Sequence, residues 1–338
     1  MINVALIGMG RIGRVHAGSL VKSGARLRIV CDTRPEVAQD AARQFGTDCS
    51  SSPQQVIRDK TIDAVFVCTP ARTHIDLVEE ALANGKYVFC EKPLDEDLDK
   101  ARRFVEADPT RAASVMIGFH RRFDVTHQKL REVVASNALG PIEQIIFNSR
   151  DPRIESFEVL RNTGGIFRDM MMHDIDQATL LVPEGFVGVF ARGSCIVDPV
   201  FAKNGDFDSA VATFWTGNGV TCTIVNSRRS SFGFEQSIEV LCSDGTATIK
   251  APGENSLSVR NEAGEHLARP KGHFLERYED AYLAECRAFL EAIEGEREFP
   301  VSAVDGLRAL VLAAAADRSA HAGQPVPIKG IEVTREPL

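Results

Sequence analysis

The sequence predicts an α/β protein with an N-terminal doubly wound parallel sheet and a C-terminal α+β domain that has a largely antiparallel open sheet. Up to about residue 120, short apolar runs alternate with helical patterns. Beyond that point strand-like segments follow one another through short turns. The 338 residues suffice for two domains. We place them at 1–120 and 121–338, and expect a segment at about 300–320 to pack back on the first domain.

Composition excludes several classes of protein. The formal net charge is −8 and the pI about 5.6, so the chain lacks the basic surface expected of a nucleic-acid-binding protein. No apolar run is long enough to cross a bilayer, and the N-terminus has no signal-peptide pattern. The 8 cysteines form no C-x-x-C pair. We interpret them as reduced thiols and expect a cytoplasmic protein with no metal, nucleic-acid or membrane partner.

A glycine-rich turn follows the first apolar run, residues 2–7. It reads Gly8-Met9-Gly10-Arg11-Ile12-Gly13 and leads into a helical pattern over 14–22. This is G-x-G-x-x-G in the strand–turn–helix setting of a Rossmann dinucleotide site. Glycines there permit a tight turn, close approach of a pyrophosphate and close packing of helix on strand. The alternative is an ordinary strand–helix turn.

Asp32 indicates which dinucleotide would bind. The second strand, 27–31, ends at this residue, near the spacing expected for a carboxylate that binds a ribose 2′-hydroxyl. Its charge would repel a 2′-phosphate, so we expect NAD and regard NADP as less favoured. Arg34 complicates this preference, since a nearby arginine can accept that phosphate.

The remaining elements of the first domain continue the alternation. Helices are predicted at 35–45, 73–84 and 98–107, and strands at 62–68, 86–90 and 114–118. Ligands bind such sheets at the carboxyl ends of the strands. The turn Gly8–Gly13, Asp32, Thr69-Pro70 and Glu91-Lys92 should therefore share one rim. Lys92 is either an ordinary surface lysine or a fixed cation able to stabilise a developing alkoxide.

The second domain is predicted to be rich in strands. Helices are expected at 125–135, 167–181, 275–294 and 303–320, and strands at 142–150, 186–195, 209–215, 219–227, 236–241 and 247–250. Arg228 and Arg229 follow one of these strands. They form a solvated face or meet a substrate or a neighbouring subunit.

The segment 164–177 carries the main catalytic candidates. Two glycines precede an apolar helical pattern in which Asp169 and His173 are four residues apart, so they share a helix face, with Asp176 on or near it. A carboxylate beside an imidazole fixes its tautomer and raises its basicity. The alternatives are a helix N-terminal acid with a packed histidine, or a metal site formed by the three residues.

Taken together, these motifs resemble the Gfo/Idh/MocA oxidoreductase family, and within it the inositol 2-dehydrogenases. The resemblance covers nearly the whole chain. It is carried by Gly8–Gly13, Cys68-Thr69-Pro70 with Thr73-His74, Glu91-Lys92-Pro93, the segments 118–124 and 164–176, Ser149-Arg150-Asp151-Pro152, Asn226-Ser227-Arg228-Arg229 and Gly233-Phe234-Glu235-Gln236. The chain differs from the inositol pattern at Phe232 and Phe234, where relatives commonly have tyrosine, and His120 is an unusual occupant of its motif.

The resemblance implies NAD-dependent oxidation of a secondary hydroxyl of a cyclic polyol, myo- or scyllo-inositol, or of a related sugar, in a homotetramer or homodimer formed through the C-terminal sheet. It implies that Lys92, Asp169 and His173 are catalytic. Together with the turn and rim residues above, it gives the expected cofactor contacts: Gly8, Gly10, Arg11, Ile12, Gly13, Asp32, Thr33, Arg34, Cys68, Thr69, Pro70, His74, Glu91, Lys92 and Arg121. The expected substrate contacts are Lys92, Arg121, Asn148, Arg150, Asp169, His173 and Phe234.

Other functions remain open at this point. One is a dehydrogenase of the same family acting on another sugar or sugar acid. A second is an NAD-dependent glycoside hydrolase on the same fold, which would show no net formation of NADH. A third is a non-catalytic sensor that binds NAD without reducing it.

Overall fold

The computed structural model describes residues 1–155, 160 and 163–328. The chain divides into two compact units. The first comprises Met1–Phe123 and Asp280–Leu310, and the second Asp124–Glu279 and Val311–Leu338. The first unit thus takes its C-terminal part from residues 280–310, which include only the first half of the segment predicted at about 300–320, while residues 311–320 group with the second unit. Residues 329–338 of the predicted second domain lie outside the described part.

The first unit contains a six-stranded parallel sheet in the order β3-β2-β1-β4-β5-β6. Its strands are β1 Asn3–Ile7, β2 Arg26–Cys31, β3 Asp48–Ser50, β4 Ala64–Val67, β5 Tyr87–Glu91 and β6 Val115–Gly118. The central strands β1 and β4 are apolar and almost wholly buried, as expected of strands covered on both faces. Strand order reverses between β1 and β4, which is where doubly wound sheets bind ligands.

Helices connect these strands: α1 Arg11–Lys22, α2 Pro35–Phe45, α3 Pro53–Arg58, α4 His74–Ala83, α5 Leu98–Ala107 and α6 Pro109–Ala113. Short 3₁₀ turns occur at Ala71–Thr73 and His120–Phe123. The helix ends follow local chemistry. Pro35 begins α2 and the left-handed Gly46 ends it, while the Asp97 side chain caps α5. The short elements β3, α3 and α6 were not predicted from the sequence.

Two long helices lie towards the C-terminus, α11 Glu279–Glu294 and α12 Ala303–Ala322. Phe289 of α11 packs edge-on against Phe66 of β4, with ring centroids 5.0 Å apart, and stacks on Phe299. Phe66 itself stacks on Phe89 of β5 at 4.4 Å. This aromatic cluster explains why the returning segment belongs to the core of the first unit.

The second unit contains a seven-stranded sheet in the order β12-β11-β7-β10-β9-β8-β15. Its strands are β7 Ile142–Arg150, β8 Gly188–Ser194, β9 Ser209–Trp215, β10 Thr221–Ser227, β11 Glu235–Cys242, β12 Gly245–Ile249 and β15 Val326–Pro327. The sequence predicts hairpin connections at Gly217-Asn218-Gly219 and Asp244-Gly245, and the antiparallel pairs β9–β10 and β11–β12 confirm them. The sheet is mixed rather than purely antiparallel, because β7 and β10 run parallel. A separate exposed hairpin, β13 Ser258–Asn261 and β14 Gly264–Leu267, was not predicted.

Helical segments of the second unit are α7 Val125–Ala135, a π-helical turn Phe167–Met171, α8 Met172–Leu181, α9 Val200–Lys203 and α10 Phe274–Arg277. The single helix predicted at 167–181 is therefore two segments of different winding. The central strands alternate buried and more exposed residues, so the sheet has an inner and an outer face. Among the described residues, no helix combines the length and apolar character that crossing a membrane requires.

Candidate active site

The glycine turn of the first unit fits a close backbone approach. Gly8 has φ +97°, and a Cβ there would lie 2.5 Å from the carbonyl oxygen of Cys68. A Cβ on Gly13 would lie 1.9 Å from the Gly8 carbonyl oxygen. A Cβ on Gly10 would meet nothing within 4 Å, so open space lies beside that residue. The first and third glycines are thus required by packing, and the second leaves room for a ligand.

The N-terminus of α1 adds a binding site for negative charge. Gly10 is its N-cap residue, with no side-chain capping bond, and the first turn has no acidic residue. The exposed ends of helical N–H groups and the helix dipole favour a phosphate at such a position. Arg11 and Ile12 supply backbone to this first turn. The geometry fits the pyrophosphate of a dinucleotide.

Asp32 is held next to this turn. Its carboxylate accepts hydrogen bonds from the Met9 backbone N–H at 3.0 Å and from the Arg34 backbone and side chain at 3.0 and 3.1 Å. Burial raises the pKa of Asp32, but the hydrogen bonds from Arg34 and Met9 outweigh it and hold that pKa below its ordinary value. A fixed anion therefore stands at the end of β2, followed by Thr33, as the sequence predicted.

The loops after β4 and β5 are tied together by His74. Its Nε2 lies 2.8 Å from the Thr69 carbonyl oxygen and its Nδ1 lies 2.7 Å from the Pro93 carbonyl oxygen. Burial lowers the pKa of His74, although its contacts with the two carbonyl oxygens act in the opposite direction. Both ring nitrogens thus contact backbone, and His74 holds the loop containing Cys68, Thr69 and Pro70. Its predicted contact with the cofactor stays a prediction.

Glu91 also acts inside the domain. Its Oε1 lies 2.6 Å from Nε2 of the fully buried His16, and its Oε2 accepts from the Lys92 backbone N–H at 3.0 Å. The Glu91 carboxylate is thus engaged within the protein, and the predicted contact of Glu91 with the cofactor stays a prediction. The effect of this carboxylate is to fix the backbone at Lys92, which is joined to Pro93 by a cis peptide bond. Lys92 is half-buried at the carboxyl end of β5.

Arg121 lies in the buried 3₁₀ turn His120–Phe123 just beyond β6. The His120 ring beside it stacks on Tyr282 of α11, with centroids 4.4 Å apart and planes 20° apart. Arg122 lies 3.5 Å from the Asp305 carboxylate. The unusual His120 therefore has a packing role within the first unit.

In the second unit, Asp169 lies on the π-helical turn and His173 on the first turn of α8. π turns of this kind occur frequently at functional sites. Both side chains are half-buried, whereas Asp176 is buried. Among the described residues no cluster of three metal-ligating side chains is present.

The Asp169 carboxylate lies 3.3 Å from Nη1 of Arg228, which follows β10. Arg228 is buried, while Arg229 beside it is exposed. The other terminal nitrogen of Arg228 lies 3.7 Å from the carboxylate of Asp206. Of the two arginines left open in the sequence analysis, Arg228 is thus an interior residue and Arg229 is the solvated one.

Asp174 attaches α8 to the inner face of the sheet. Its buried carboxylate accepts hydrogen bonds from Ser149 Oγ of β7 at 2.8 Å and from Asn226 Nδ2 of β10 at 2.9 Å. Strand alternation turns Asn148 and Arg150 to the opposite face. There they contact Ser237 and Glu235, at 3.3 and 2.7 Å.

Asn148 and Arg150 both face away from the helix that carries His173, because adjacent strand residues point to opposite sides. Their predicted contact with substrate stays a prediction. Phe234, at the start of β11, is buried and packs near Phe274 and Tyr278, with centroids 6.4 and 6.3 Å away. It contributes an apolar wall rather than a hydroxyl donor.

Sequence reasoning missed His16, Asp174, Asp206 and the interior role of Arg228. The sequence gives little sign of any of them, because each acquires its role from partners far away in the chain. For Asp206 the sequence offers one indirect signal, the double glycine Gly164-Gly165. A side chain at Gly165 would collide with Asp206, because its Cβ would lie 2.8 Å from the carboxylate.

A glycine-rich turn of the dinucleotide-binding type on a doubly wound parallel sheet is typical of nicotinamide-dependent oxidoreductases. Comparison with known families gives the particular group. Residues 2–119 match the family described as "Oxidoreductase family, NAD-binding Rossmann fold", and residues 127–248 match the "GFO/IDH/MocA C-terminal domain". The chain belongs to the Gfo/Idh/MocA oxidoreductase family.

Individual relatives are similar over nearly their whole length. The inositol 2-dehydrogenase of Rhizobium meliloti is 37% identical over 94% of this chain and 96% of its own. The crystal structure of a myo-inositol dehydrogenase from Corynebacterium glutamicum is 34% identical, with a TM-score of 0.92 over 98% of this chain and 99% of its own. A scyllo-inositol dehydrogenase from Lactobacillus casei, solved with NAD(H) and scyllo-inositol, is 27% identical, with a TM-score of 0.90 over 97% and 99%.

Proposed function

We propose that this protein is an inositol 2-dehydrogenase, which oxidises a secondary ring hydroxyl of myo- or scyllo-inositol to a ketone with NAD as the oxidant. The observation that carries the proposal is the full-length similarity to inositol dehydrogenases, combined with the placement of Asp169 and His173 on a braced helical segment. Another sugar or sugar acid remains the second candidate, because Phe234 lacks the hydroxyl that relatives commonly place there.

His173 is the general base of the proposed mechanism. It takes the proton of the substrate hydroxyl, and Asp169 orients the imidazole and stabilises its cationic form. Lys92 stabilises the oxygen as negative charge develops on it. When bound, NAD supplies the nicotinamide that accepts hydride from the carbon. Arg121 and Phe234 are proposed to shape the substrate's surroundings.

The first unit is the proposed cofactor domain. Gly8, Gly10 and Gly13, with the N-terminus of α1, would hold the pyrophosphate, and Asp32 would accept hydrogen bonds from the adenosine ribose. The remaining contacts are proposed for Arg11, Ile12, Thr33, Arg34, Cys68, Thr69, Pro70, Lys92 and Arg121. The support is the fixed, ionised Asp32 next to an open glycine turn.

The second unit is the proposed substrate and oligomerisation domain. Its outer sheet face exposes apolar side chains, among them Phe190, Val211 and Leu241, interspersed with threonines. Exposed apolar surface of this kind is typical of a contact with another subunit. We propose a homotetramer or homodimer built through this face, in the cytoplasm.

The direct test is to follow NADH absorbance with the purified protein, NAD and a panel of inositols, sugars and sugar acids. We expect the highest kcat/KM with myo- or scyllo-inositol. Aryl glycosides serve as the control for hydrolase chemistry. Glycoside cleavage without NADH from any polyol would contradict the proposal, as would NAD binding with no turnover of any panel member.

A further inference from the structure

We infer that Arg228 is a positioning residue for the reaction, and that it braces the Asp169 carboxylate against Asp206 and sets the basicity of His173 through it. This inference rests on the proposed function of the Asp169–His173 couple. It adds a role for a residue that touches neither substrate nor cofactor in the mechanism given above.

The guanidinium of Arg228 lies between two carboxylates. Nη1 is 3.3 Å from Oδ2 of Asp169 and Nη2 is 3.7 Å from Oδ2 of Asp206. The Arg228 side chain is only 2% exposed, and the Phe201 ring lies 5.5 Å from Cζ. The contact with Asp169 is a hydrogen bond, whereas the contact with Asp206 is an ion pair without one. Burial restricts the planar guanidinium to this position and strengthens its interaction with both carboxylates.

Both ends of this bridge are fixed to backbone. The Arg228 N–H donates to the Asp208 carbonyl oxygen at 2.9 Å. Asp206 accepts from the Ile166 N–H at 2.9 Å and from the Phe207 N–H at 2.7 Å. Ile166 directly precedes the π turn that carries Asp169. Asp206 therefore anchors both the start of this helical segment and the arginine that contacts its acid.

The double glycine belongs to the same arrangement. Gly164 and Gly165 have φ of +85° and +82°, and a Cβ on Gly165 would lie 2.8 Å from Oδ1 of Asp206. The chain thus enters the π turn by a path that only glycine follows without strain, and this path brings Ile166 N–H onto Asp206. The double glycine, the Ile166 N–H and the Arg228 guanidinium therefore all lie next to the carboxylate of Asp206.

The charged groups around Arg228 determine the electrostatic consequence. Asp169 and Asp206 contact the guanidinium directly, and the Asp208 backbone contacts the Arg228 N–H. The other titratable groups on these elements and on α12 are His173, Asp176, Arg168, Asp317 and His321, the last two joined to each other and Asp317 to Arg168. The cation of Arg228 offsets part of the negative charge of Asp169. Its removal leaves that charge to act fully on His173, four residues further along the same helical segment, and the imidazolium becomes more stable.

Removing the Arg228 cation should change the pH dependence of the reaction. If the pKa of His173 rises, the neutral form that acts as base becomes protonated at a higher pH as the pH falls. In Arg228→Gln the acid limb of the kcat/KM profile should therefore move to higher pH by about one unit. We also expect kcat to fall about tenfold to a hundredfold, because Asp169 loses its fixed orientation. NADH binding should stay unchanged.

The matched control is Arg229→Gln, which removes the same charge from the adjacent, exposed residue. It should reproduce the wild-type profile. A profile and kcat for Arg228→Gln equal to those of Arg229→Gln would overturn the inference. Loss of thermal stability without movement of the acid limb would overturn it too, since a purely structural residue gives that result. Repeating the comparison in a His321→Gln background removes the other nearby imidazole.

Two further measurements keep the inference testable. If Arg228→Gln does not fold, Arg228→Lys is the second variant, because it keeps the positive charge without the planar guanidinium. We expect the acid limb of the wild-type profile with kcat lowered several-fold. An unchanged kcat would overturn the inference. The His173 pKa, followed by NMR in substrate-free, histidine-labelled protein, should rise in Arg228→Gln. That readout is independent of inositol turnover, so absence of activity in the wild type would count against the proposed function alone.

Discussion

Asp32 links the glycine turn to the choice of dinucleotide. Its carboxylate is held by the Met9 N–H and by Arg34, and its pKa is held below the ordinary value, so it is ionised at neutral pH. An ionised group at this position attracts a ribose hydroxyl and repels a 2′-phosphate. The Arg34 side chain is paired with Asp32 in this structure. This pairing makes Arg34 less available to bind the 2′-phosphate of NADP.

Replacing Asp32 by alanine should lower kcat/KM for NAD about tenfold to a hundredfold, since a charged hydrogen-bond acceptor for the ribose is lost. The preference for NAD over NADP should narrow or reverse, because Arg34 is released from its ion pair. Steady-state kinetics with both cofactors measures this. Asp48→Ala, which removes an exposed carboxylate from β3, is the control. An unchanged cofactor preference in Asp32→Ala would remove Asp32 from the site.

At the scale of elements, the π turn Phe167–Met171 determines how the acid–histidine couple is presented. It begins after two left-handed glycines and continues directly into α8. Asp174 then attaches α8 to β7 and β10 through two buried hydrogen bonds. The couple thus lies on a segment fixed at both ends, which limits the reorganisation needed during a reaction.

Gly165→Ala tests this arrangement. We expect a loss of unfolding free energy greater than the roughly 1–2 kcal/mol that a left-handed alanine costs by itself, because the new Cβ also overlaps Asp206. Gly185→Ala is the matched control: Gly185 has φ +78° but open space around it. Urea unfolding of both variants gives the comparison. Equal losses would show that the contact with Asp206 contributes nothing.

Much of this element structure could be predicted from the sequence, and the exceptions have physical causes. Helices such as Pro35–Phe45 and strands such as Ser209–Trp215 have strong local signals, and their predicted bounds are confirmed. The π turn was predicted as ordinary α-helix, because the spacing of apolar residues over a single turn does not distinguish an α-helix from a π-helix. The face of the sheet to which Asn148 and Arg150 point depends on the register of β7, and tertiary packing determines that register.

At the scale of the whole molecule, the two sheets differ in what covers them. The parallel sheet has buried central strands, whereas the mixed sheet has α8 on its inner face and a row of exposed side chains on its outer one. On that outer face Val211 pairs with Val225 and Thr213 contacts Thr223. An uncovered face of this composition supports the proposal of association with further copies of the chain.

Val211→Asp should reduce the size of the assembly, because burying an unpaired carboxylate in an apolar interface is costly. Light scattering coupled to size-exclusion chromatography measures the mass. Val21→Asp, on the exposed end of α1, is the control with the same change of side chain. A Val211→Asp protein with the wild-type mass would contradict an interface through this face.

The account as a whole depends on the imidazole of His173 as the base that accepts the hydroxyl proton. The measurement that tests it most directly is steady-state NADH formation by His173→Gln with the best inositol substrate, together with the Kd for NADH. We expect kcat to fall about a hundredfold or more while NADH affinity is kept. Turnover close to that of the wild-type protein would contradict the account.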